Sequence, residues 1–77
     1  MVVSEADTTR ALVARALVAV FVAYEGSVRE AAAKGILMTA HESSAALVQV
    51  AQAEAANETL RVELKRLAHR LASNPVR

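Results

Sequence analysis

The chain reads as an all-α protein: two or three helices with a long C-terminal one, a helical hairpin or bundle completed by oligomerisation. Three observations carry this reading. The 77 residues include only two Gly and one Pro, the residues that most often interrupt helices, and none of them falls between Thr39 and Ser73. Leu60, Leu64, Leu67 and Leu71 recur at spacings of three and four, which aligns them in one apolar stripe that a second helix must cover. Bulk for a core comes from Val and Leu, because aromatic residues make up 3% of a chain that is 55% hydrophobic. A chain this short holds one domain and a marginal core, and oligomerisation is a common remedy.

The first helix is expected over residues 5–25. Ser4-Glu-Ala-Asp7 offers an N-cap and an acid for the positive helix end, and Gly26 offers a stop. Leu12, Val13, Leu17, Val18, Val20, Phe21, Val22 and Tyr24 surround nearly its whole circumference. A helix that is apolar all round has to be covered on more than one side, here by the chain's own long helix and by a partner copy. Ser27-Val-Arg-Glu30 is a capping box that opens a short helix over 28–37, within which Gly35 either pauses the helix or permits close packing. Thr39-Ala-His-Glu42 is a further start signal, so a turn or kink is expected between Leu37 and Ser44. The long helix then runs over 40–73 and stops before Asn74-Pro75, because a residue preceding proline is pushed out of α geometry.

In heptad terms Val50, Asn57, Leu64 and Leu71 share one seam position, and Ala53, Leu60 and Leu67 the other. Asn57 is then either a polar residue that fixes the register of a coiled coil or a solvated residue at a helix bend. The expected oligomer interface is Leu12, Leu17, Phe21, Val50, Asn57, Leu60, Leu64, Leu67 and Leu71. The expected partners are a second copy of the chain, a dimer being favoured, and other helical proteins.

Composition narrows the function by exclusion. Net charge is +1, too small to argue for an acidic partner, but residues 61–77 set Arg61, Lys65, Arg66, Arg70 and Arg77 against Glu63 alone. Cations suit the C-terminal end of a helix dipole; the same cluster also suits phosphate. Without Cys there is no disulfide framework, thiolate metal site or thiol nucleophile. His41 and His69 stand in different segments with no Asp near either in sequence, the serines sit at caps and turns, and Gly26 and Gly35 stand alone. No catalytic, cofactor-binding or metal-ligating set follows, so neither a cofactor, a metal nor a small-molecule substrate is expected, and the protein is read as non-enzymatic. The apolar run Ala11–Tyr24 would span about 21 Å at about 1.5 Å per residue, short of the roughly 20 residues a membrane span needs, and Arg15 interrupts it. The N-terminus lacks the basic region of a signal peptide. Residence in the cytoplasm, or in a virion if the chain is phage-encoded, is expected. The Ala-, Val- and Arg-rich composition suits a bacterial or phage genome rich in GC.

One string carries a family resemblance. Ala33-Lys-Gly-Ile-Leu-Met38 resembles the signature of the ANTAR family of RNA-binding transcription antitermination regulators. His41, Ala45, Ala53, Asn57 and Leu60 follow in the family's order. The resemblance spans residues 28–71, with a shorter turn after His41 and with Ala46 in place of an aromatic residue. It implies a three-helix domain that grips small RNA stem-loops, usually as a dimer. Lys34 would then be the foremost RNA contact, with Arg61, Lys65, Arg66 and Arg70 as auxiliaries. The leading expectation is a self-associating structural, assembly or adaptor subunit. The alternative is a small RNA-binding regulator of ANTAR type.

Overall fold

Three junctions divide the chain into helices, and two of them follow from single residues: Gly26, which lacks a side chain, and Asn57, whose side chain competes for the backbone. The computed structural model describes residues 5–39 and 41–73. It holds four helices: α1 (Glu5–Ala23), α2 (Ser27–Thr39), α3 (Ser43–Ala53) and α4 (Glu58–Ser73). The start signal at Ser4 and the stop at Asn74-Pro75 lie outside the described residues.

α1 and α2 form one hairpin and α3 and α4 a second; α1 packs on α3 as well, and α2 meets α4 only sparsely. The turn of the first hairpin rests on Gly26, whose φ of 68° is a left-handed conformation that costs other residues roughly 1 kcal/mol or more. The helix that follows starts at Ser27, with the Gly26 carbonyl accepting the Glu30 N–H at 3.1 Å. The expected capping box is thus displaced by one residue: Gly26 occupies the cap and Ser27 lies inside the first turn.

Gly35 does not pause α2, which runs unbroken to Thr39. A Cβ added at Gly35 would meet Leu17 Cδ1 at 3.0 Å, so this glycine lets α1 and α2 approach closely. Thr39 closes α2 rather than opening the next helix: its Oγ1 donates to the Gly35 carbonyl at 2.8 Å. Arg10 Nη2 donates to the Thr39 carbonyl at 2.6 Å, placing a cation at the negative end of α2.

The expected single helix over 40–73 is instead two, α3 and α4, separated at Glu54–Asn57. Asn57 makes the break. Its Oδ1 accepts the Leu60 N–H at 2.9 Å, the bond of an N-cap residue three positions before the donor. Asparagine is among the best N-caps because its short side chain replaces a missing helical partner. The segment before it, Ala51–Ala56, carries little bulk with which to hold a straight helix against a neighbour. Folding α4 back lets Leu60, Leu64 and Leu67 bury themselves on the chain's own Val18, Phe21, Ile36 and Val48. The leucine stripe is therefore covered within one chain, and the premise that a partner must cover it is corrected.

Candidate functional site

The fold sorts the expected interface residues into three groups. Phe21, Leu60, Leu64 and Leu67 are buried together in the core, and Leu17 and Leu71 pack against it partly buried. Asn57 is exposed and spends its side chain on the α4 cap. Of the apolar members, Leu12 and Val50 remain on the surface, 59% and 57% exposed. Within the chain the leucine seam is thus internal, and the apolar residues left outside are Leu12 on the far face of α1 and Val50 on α3.

That face follows from helical geometry. Val18 and Phe21 turn inward with Ala14, so Leu12, Ala16, Ala19 and Ala23, spaced by four, three and four, form the opposite stripe, and all four are exposed. Val13 and Val22 flank it, also exposed. Between Ala11 and Ala23 the only charge is Arg15. An apolar strip thus lies exposed along the outer face of α1.

The expected RNA contacts are all exposed but do not share one face. Arg61 pairs with Glu58 at 2.7 Å. Lys65 and His69 sit on the outer side of α4, while Arg66 and Arg70 turn toward α2, where they line a groove. Lys34 is exposed on α2 and lies outside that groove. The groove has a volume of about 280 Å³, with Ala33 and Leu67 in its floor and Glu30 on the α2 side.

Its inner wall is held by Arg29, which the sequence reading passed over. Arg29 is 6% exposed. Its Nε donates to the Phe21 carbonyl at 2.8 Å, satisfying an end carbonyl of α1 that no helical N–H reaches. Its Nη1 donates to Glu63 Oε1 at 2.8 Å, and its guanidinium carbon lies 5.4 Å from the Phe21 ring centroid, within cation–π range. Arg29 therefore ties α1, α2 and α4 together. A signal for it existed: Arg29, Ala32, Ala33 and Ile36 occupy one helical stripe, and a charge on a core stripe demands a buried partner.

A second polar cluster joins residues far apart in sequence. His41 Nε2 lies 3.2 Å from Asp7 Oδ1, and His41 Nδ1 accepts the Ser43 N–H at 3.1 Å with Ser43 Oγ at 2.7 Å. Ser, His and Asp invite comparison with a nucleophile relay. The geometry says otherwise, because the single lone pair of Nδ1 already takes the first N–H of α3. The imidazole side chain is 8% exposed, and it serves as the cap that Glu42, which makes no side-chain cap bond, does not provide. With Nδ1 accepting, Nε2 carries the proton and donates to Asp7.

No helix is long and apolar enough to cross a membrane among the described residues. Set against known proteins, the chain matches no family model, no curated protein and no solved structure.

Proposed function

We propose that the protein works by self-association, two copies pairing through the outer face of α1, as a structural or adaptor subunit without catalytic activity. The observation that carries this is the exposed stripe Leu12, Ala16, Ala19 and Ala23. Its composition favours a second copy over an unrelated partner. In an antiparallel pair, the bulky Leu12 and Val13 end of one helix lies over the alanine end of the other, so that large side chains meet small ones and the backbones approach closely. A two-fold interface of this kind is self-complementary by construction.

A second reading, RNA contact of the ANTAR type, is favoured by one observation: Lys34, Lys65, Arg66 and Arg70 form no ion pair among the described residues. One experiment addresses both. In sedimentation velocity the wild type is expected as a dimer, while Leu12→Glu and Ala16→Glu sediment as folded monomers with unchanged helical spectra. A wild type that stays monomeric to about 100 µM, a pairing free energy weaker than about −5.5 kcal/mol, ends the self-association reading. A fluorescent hairpin RNA in the same cells tests the second: co-sedimentation that weakens steeply with salt and is lost in Lys34→Ala would support it.

A further inference from the structure

We propose that the groove between α2 and α4 binds the phosphate monoester of a small hydroxylated molecule, with Arg66 and Arg70 holding the phosphate and Glu30 accepting a hydroxyl. The cations of the groove are of two kinds. Arg29 is committed to Phe21 and Glu63 and serves the fold. Arg66 and Arg70 are exposed, line the groove, and form no ion pair among the described residues. They stand four positions apart, so their side chains leave the same face of α4, where like charges repel unless an anion lies between them. The nearest carboxylate on α4, Glu63, stands one turn before Arg66 yet bonds Arg29 through Oε1 at 2.8 Å.

Charge and shape specify the occupant. Two guanidiniums on one helix face suit a phosphate monoester, which offers several oxygens to planar donor forks, whereas a carboxylate offers only two. Glu30 on the α2 side repels a second anionic group and accepts hydrogen bonds, so it selects a ligand whose remainder carries hydroxyls. The volume of about 280 Å³ lies just below the roughly 300–1,000 Å³ of sites that enclose drug-sized ligands. It suits a sugar-sized phosphate. This inference does not rest on the α1 face, which lies on another side of the fold, and Leu12→Glu is expected to bind as the wild type does.

The test is titration of the ¹⁵N-labelled protein with ribose 5-phosphate, ribose and inorganic phosphate, read by NMR. Ribose 5-phosphate is expected to saturate with a Kd of about 1 mM, moving the Gly26 and Glu30 amides and the Arg66 and Arg70 Nε resonances. Ribose alone is expected to move none of them. Arg66→Gln and Arg70→Gln should each weaken ribose 5-phosphate about tenfold, the loss of one charge-assisted contact, with the melting temperature unchanged. Glu30→Gln should weaken ribose 5-phosphate while strengthening inorganic phosphate, a split that a structural role for Glu30 would not produce. Absence of saturation by about 10 mM ribose 5-phosphate, far weaker than a fitted site requires, overturns the proposal. So do shifts that bypass Arg66 and Arg70, or equal binding of ribose. A hairpin RNA that binds this groove while ribose 5-phosphate does not would also overturn it.

Discussion

Ser44 shows how much one side chain can withhold from a core this small. It is fully buried in α3, and its Oγ has no hydrogen-bond partner. A buried hydroxyl left unpaired costs about 1–3 kcal/mol, and serine is also a poorer helix former than alanine. Ser44→Ala is therefore expected to stabilise the protein by about 1 kcal/mol, read as a rise in urea midpoint at constant slope; an equal or lower midpoint would mean that Oγ finds a partner. From sequence Ser44 reads as a cap or turn residue at the end of the expected kink. Its burial was not legible, because a serine at a helix start looks the same whether solvent or Val48 lies beside it. Arg29 is the opposite case. Its charge sits on the apolar stripe of α2, which sequence alone displays, but the partner Glu63 is 34 positions away and no local pattern points to it. His41 and Asp7, also 34 positions apart, are likewise joined by no local pattern.

At the scale of elements, the lesson lies in Asn57. Its place in the heptad was legible, and both of its readings, a register-fixing seam residue and a residue at a bend, were available from spacing. The fold selects the bend, because intramolecular burial of three leucines needs no partner and therefore no association entropy. The turn between Leu37 and Ser44 and the stop at Gly26 were legible too, since each rests on residues with local backbone preferences. The extent of α2 past Gly35 was not, because that glycine is explained by Leu17 of another helix. The cap gives a direct prediction. Asn57→Ala should cost about 1 kcal/mol, whereas Asn57→Asp, which keeps the accepting oxygen and adds a charge at the positive helix end, should cost almost nothing. Thermal melts check this. Equal losses for both variants would mean that Asn57 acts through something other than the Leu60 N–H.

For the whole molecule, the all-helical class was legible from the scarcity of Gly and Pro and the leucine period. The packing partner of that period was not. A stripe states that it must be covered, and leaves open whether the cover comes from the same chain. Leu64 is the sharpest test of this internal cover, being fully buried among Phe21, Ile36 and Val48 in the core cluster. Leu64→Ala should destabilise by about 2–5 kcal/mol through the cavity it opens. The loss should be the same at every protein concentration, because the contact lies within one chain. A loss that shrinks as concentration rises would return Leu64 to an interface between copies.

The polar ties between distant elements are unevenly placed. Arg10 to Thr39, Asp7 to His41, and Arg29 to Phe21 and Glu63 fasten the junction of α2 with α3 and the junction of α1 with α2. Among the described residues, the turn at Glu54–Asn57 has bonds to its own neighbours, Glu54 N–H to Val50, Ala55 N–H to Gln52, and Leu60 and Arg61 N–H to Asn57. Stability in a protein is not uniform, and opening starts where long-range ties are fewest. Amide protons at the C-terminal turn of α3 and the first turn of α4 should therefore exchange with solvent through fluctuations smaller than global unfolding. Those around Arg29 should exchange only when the whole chain comes apart. Hinged in this way, the chain would loosen first at the turn that divides its last two helices, and the end that carries the groove would be the last to let go.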